Sequence, residues 1–77
     1  NLKDYERGAL RTLFELRRRI RSNDFSLVEK IEDAFERAAI QLEESSCPDL
    51  FKAYNTLRNI YDERYLKKVK NESLKNL

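Results

Sequence analysis

Glu32, Asp33 and Glu36 are the nearest this 77-residue chain comes to a chemical constellation, and they fall short of one. Close spacing on one helix gathers carboxylates, but a carboxylate metal site needs histidine or a second acidic helix facing the first. The chain has no histidine, so the commonest general base and metal ligand is missing. The three acids therefore read as a solvated face, pairing with neighbouring Lys30 and Arg37. Cys47 is the only cysteine. It stands near a helix start, where the dipole can lower a thiol pKa, but no base accompanies it. A single glycine, Gly8, cannot build a phosphate-cradling loop. The expectation is a protein that is not an enzyme, with no catalytic, cofactor-binding or metal residues and no small-molecule substrate.

A second group of residues could act on phosphate. Arg17, Arg18, Arg19 and Arg21 surround much of one helical turn, and guanidinium forks suit phosphate oxygens. Lys67, Lys68 and Lys70 form a second basic stretch. Together the seven are the candidate nucleic-acid contacts, with an affinity that would fall steeply with salt. Two facts weigh against that use. Cations at helix C-termini offset the macrodipole in any case, and the net charge is only +2.

The elements that position these groups are three amphipathic helices. Leu2, Tyr5, Ala9, Leu13, Leu16 and Ile20 recur at steps of three or four and share one face of a first helix. Asn23 suits the left-handed residue beyond its end. Ser26-Leu27-Val28-Glu29 reads as a capping box opening a second helix, whose stripe is Val28, Ile31, Phe35, Ala38 and Leu42. Pro48 suits the first turn of a third, with Ser46 or Cys47 as the cap. Leu50, Tyr54, Leu57, Tyr61 and Tyr65 carry its stripe, flanked by Ala53 and Ile60. The expected fold is an all-α, antiparallel three-helix bundle, with helices at about 2–21, 27–45 and 48–70 and a fraying tail from about Asn71.

That topology brings the two basic stretches to one pole, with Asp4, Glu6, Glu43, Glu44 and Asp49 at the other. Charge also alternates along the chain, at +4 over residues 1–23, −6 over 24–49 and +4 over 50–77. An acidic middle helix between two basic neighbours suggests internal complementarity.

A chain this short buries only roughly 60% of its unfolded surface, so stability should be a few kcal/mol. The lone thiol fits a reducing, intracellular (cytoplasmic or nuclear) setting. No apolar run approaches the ~18 residues of a membrane span. Starting at Asn1 and lacking methionine, the chain reads as a domain cut from a longer one, or a processed product. Leu10, Phe14, Ile40 and Leu66 lie off the main stripes. Exposed apolar groups of this kind mark partner surfaces when they cluster. They are the candidate contacts for another protein or a second copy of this chain.

One family pattern is visible. Asp24-Phe25 ahead of the second helix, and Tyr54, Leu57, Ile60, Arg64, Lys67, Lys68 and Val69 along the third, resemble the helical domain of GINS replication-complex subunits. The likeness spans about residues 5–70, with Ser26 where that family tends to have tyrosine. The resemblance implies a non-catalytic scaffold that joins replication factors by helix packing, with Tyr54, Leu57 and Arg64 as pattern positions.

Overall fold

The computed structural model describes residues 2–67. The expected fraying tail, the end of the third helix, and Lys68, Val69 and Lys70 lie outside the described residues. The fold is an all-α antiparallel three-helix bundle. Helix α1 spans Asp4–Arg21, α2 spans Val28–Leu42 and α3 spans Pro48–Tyr61. A short 3-10 turn, Phe25–Leu27, precedes α2, and a π-helical turn, Asp62–Leu66, continues α3.

Side-chain hydrogen bonds fix the up-down-up topology. At one pole the Tyr5 hydroxyl donates to the Glu44 carbonyl at 2.9 Å, and Ser45 Oγ donates to Glu6 Oε2 at 2.6 Å. At the other the Tyr65 hydroxyl reaches the carbonyls of Ile20 at 2.8 Å and Arg19 at 3.1 Å. The start of α1 thus meets the end of α2, while the ends of α1 and α3 lie together.

The core follows the apolar stripes. Ala9, Leu13, Leu16, Ile20, Ile31, Ala34, Phe35, Ala38, Leu42, Leu50, Tyr61 and Tyr65 are all buried. Phe35 takes Tyr54 on its edge at 5.6 Å and Tyr61 at 5.5 Å, and Tyr61 stacks on Tyr65 at 5.3 Å. Helices α1 and α2 make the most extensive contact. There Gly8 gives Gln41 room, because a Cβ on it would lie 3.1 Å from Nε2 at the flexible end of that side chain, which would have to shift slightly. Thr12, also buried, donates to Gln41 Oε1 at 2.8 Å.

Three expectations are corrected. Ser26 does not cap α2, whose N-cap, Leu27, has no side-chain cap bond. Instead the Asp24 carboxylate accepts from Ser26 N at 3.0 Å and Ser26 Oγ at 2.6 Å, which caps the 3-10 turn and holds the Asp24 carboxyl below its usual range. A charged acceptor two residues upstream outcompetes the capping box. Asn23 is left-handed, with φ 56°, as its type suggests. Pro48 takes the first turn of α3, but neither Ser46 nor Cys47 caps it by side chain; Cys47 N–H donates to Ser45 Oγ at 3.1 Å.

The third correction concerns the end of α3. In an α-helix Leu66 would lie about 140° round from Tyr61, away from the core. The π turn, closed by Lys67 N–H to the Asp62 carbonyl, takes more residues per turn and brings position 66 back. Leu66 therefore packs, half-buried, against the core, as Leu10 does.

Candidate docking groove

Two facing stripes line a groove between α1 and α3. Leu10, Leu13, Phe14, Arg17, Ile20 and Arg21 come from α1; Ala53, Thr56, Leu57 and Ile60 come from α3, with Arg64 from the π turn. The spacing on both sides is three or four residues, so each set forms a continuous helix face. The groove encloses about 480 Å³ and its walls are mainly apolar. Phe14 stands on its rim with 55% of its surface exposed.

The expected partner contacts thus separate. Leu10, half-buried, and Phe14, exposed, join the same groove. Ile40, 62% exposed on α2, lies outside it, and Leu66 belongs to the core edge. Sequence periodicity alone missed Ala53, Leu57 and Ile60 as groove residues, because they sit on a stripe that reads as core. In the fold they are only half-buried.

The basic pole exists, but its cations diverge. Arg17 and Arg21, four apart, face the groove together with Arg64. Arg18, one residue and so about 100° further round, lies on another side of α1 with Arg11 and Arg19. Arg19 pairs with Glu15, which also meets Arg37 at 3.6 Å. Lys67 pairs with Glu63 at 3.0 Å. Among the described residues Arg17, Arg18, Arg21 and Arg64 have no carboxylate partner.

Charge complementarity between helices is narrower than the segment totals imply. Arg58 of α3 lies 3.8 Å from Glu32 of α2, and the other cross-helix pair among the described residues, Arg37 with Glu15, places the cation on the acidic helix. Arg58 also sits over the rings of Phe35 at 5.0 Å and Tyr61 at 5.6 Å, and 3.6 Å from Asp62. Around it, among the described residues, Glu32 Oε1, Asp62 Oδ1 and the Tyr61 hydroxyl are buried without hydrogen-bond partners of ordinary length. Burial, then the neighbouring Glu32 carboxylate, pushes the Tyr61 phenol well above its ordinary 10.0.

Glu32 is half-buried beside Arg58, whereas Asp33 and Glu36 face solvent. Among the described residues no group of three or more Cys, Asp or Glu side chains is arranged to hold a metal ion. Cys47 is a free, half-buried thiol against the core. No described helix is long and apolar enough to cross a membrane. Of the family-pattern positions, Tyr54 packs on Phe35, Leu57 lines the groove floor and Arg64 stands on its rim. Set against known protein families, curated proteins and solved structures, the chain finds no match.

Proposed function

We propose that this chain is a non-catalytic helical protein–protein interaction module whose docking surface is the groove between α1 and α3. One observation above all supports the reading. Between Leu50 and Tyr61 no side chain of α3 is fully buried, although Ala53, Tyr54, Leu57 and Ile60 are its apolar stripe. Apolar surface left half-covered along the middle of a helix, next to an exposed phenylalanine, is what a partner covers. The proposed setting is intracellular, as a scaffold or accessory domain in a DNA-replication assembly. The GINS-like pattern supports it, because Leu57, Ile60 and Arg64 carry that pattern and also line the groove.

The competing use is nucleic-acid binding by the basic pole. Arg19 and Lys67 are engaged by carboxylates and Arg18 points away from Arg17 and Arg21, which disfavours one continuous phosphate-binding face. Photo-crosslinking of the protein in its own cells separates the two. A crosslinking residue at position 14 should give discrete, nuclease-resistant protein adducts, and one at Ile40 should not. Nuclease-sensitive adducts, or equal yields at both positions, would overturn the proposal. Titration with duplex and single-stranded DNA over a salt series completes the test: tight binding that Arg18→Glu with Arg19→Glu abolishes would favour the competing reading.

A further inference from the structure

We infer that the occupant of the groove is a partner's amphipathic helix about three turns long, lying antiparallel to α1 and α3, with acidic residues in its first turn. The inference rests on the groove being a protein-docking surface and goes on to its chemistry. From Leu10 to Arg21 on one wall and from Ala53 to Arg64 on the other, the lining spans eleven residue steps, which at ~1.5 Å per residue is about 16 Å. Two parallel helices with three-four stripes leave space for the apolar edge of a third helix between them, as in a four-helix bundle.

Charge sets the direction. The cations Arg17, Arg21 and Arg64 all stand at one end of the groove, exposed and without carboxylate partners among the described residues. Both α1 and α3 run their C-terminal ends toward that pole. An antiparallel helix brings its positive N-terminal end there, favourable beside the C-terminal end of α1 but opposed by the three guanidinium groups unless acidic side chains stand between. Acidic side chains in its first turn are then favoured by their own helix dipole and by three guanidinium groups together.

A second copy of this chain does not supply such a helix. The apolar stripes of α1 and α2 are spent in the core, α2 exposes only Ile40 among its large apolar side chains, and α3, whose half-buried stripe already lines the groove, carries one acidic residue, Asp49, in its first turn to set against three guanidinium groups. A parallel face-to-face pairing of two grooves would oppose arginine to arginine.

The test uses the 77-residue chain and three labelled helical peptides of one composition, each with leucines at three-four spacing. One carries three glutamates in its first turn, one carries them in its last turn, and one has lysines in place of the first-turn glutamates. Fluorescence anisotropy should show saturable binding of the first, weaker by about tenfold for the second and weaker still for the third. The double variant Arg17→Glu/Arg64→Glu should reverse the preference toward the lysine peptide. Both positions are exposed, so helical circular dichroism should be unchanged. Binding that ignores glutamate position and charge reversal would overturn the occupant while leaving the groove a docking site. No saturable binding by any peptide, or self-association of the chain in sedimentation at micromolar concentration, would also overturn it. Crosslinking at position 14 then decides separately whether the groove docks protein at all.

Discussion

Replacing Tyr65 by phenylalanine deletes one buried oxygen and leaves the ring in place. That oxygen ties the end of α3 to the end of α1, through contacts of 2.8 Å to the Ile20 carbonyl and 3.1 Å to that of Arg19. A hydroxyl has one hydrogen, so the two contacts share a single donor and count as one bond. Nor are the carbonyls stranded by its loss. Arg19 also accepts from Ser22 N and Ser22 Oγ, and Ile20 from Asn23 N. The cost is therefore about 1 kcal/mol, the net value of one hydrogen bond, rather than the ~3 kcal/mol of an orphaned buried group. In a domain of this size that lowers Tm by about 4–8 °C. Thermal and urea unfolding followed by helical circular dichroism would measure it, with an unchanged urea m-value. Tyr5→Phe is the control, since its 2.9 Å bond to the Glu44 carbonyl is exposed and should be worth under ~0.5 kcal/mol. Equal losses in the two variants, or a Tyr65→Phe protein within ~0.2 kcal/mol of the parent, would refute the tie between the helix ends.

Two further outcomes concern pH. The Ser45 hydroxyl, then the Lys3 backbone N–H, holds the Glu6 carboxyl below its ordinary 4.5. Its contribution is thus complete above about pH 4.5 and is lost as pH falls through the lower folded value. Urea midpoints measured down to pH 3 should decline less in Glu6→Gln than in the parent; parallel declines would show the lock to be inert. For Tyr61 the sign is opposite. Its folded pKa is raised, so the stability it lends is present below pH 10.0 and lost above it. Absorbance at the phenolate band should show one tyrosine ionising only with unfolding. Because the Tyr61 hydroxyl faces Glu32 without a hydrogen bond of ordinary length among the described residues, Tyr61→Phe should cost less than Tyr65→Phe at neutral pH.

The legible part of this fold is what a single α-phase can carry. Ile31, Phe35, Ala38 and Leu42 lie where a 3.6-residue period puts them, and all are buried. Ala34 is buried with them but adds too little apolar area to stand out in a stripe. The half-burial of Leu66 was not legible because nothing in Asp62-Glu63-Arg64-Tyr65-Leu66 announces an i→i+5 turn, and every angle after such a turn changes. Ser26 met a real capping pattern, yet Asp24 offered its N–H and hydroxyl a charged acceptor closer in sequence. At the candidate site, Leu10 and Phe14 were legible as off-stripe residues. Their neighbours across the groove were not, since half-burial of Ala53, Leu57 and Ile60 depends on the distance between helices rather than on the phase of either one.

That distance has a physical origin in side-chain size. Helices approach as closely as the residues between them allow. The α1–α2 contact, the most extensive in the bundle, draws on Gly8 beneath Gln41, and Ala9, Ala34 and Ala38 are fully buried around it. Helix α3 is held differently, by Leu50 near its start and by the stacked rings of Tyr61 and Tyr65 at its end. Anchored at both ends, α3 keeps Ala53, Leu57 and Ile60 only half-covered on the side that lines the groove with α1. The groove is thus a consequence of where the large side chains lie, and the chain is folded with it open. A helix entering it would bury Leu57, Ile60 and Phe14 without first having to displace a core residue, which lowers the reorganisation cost of docking.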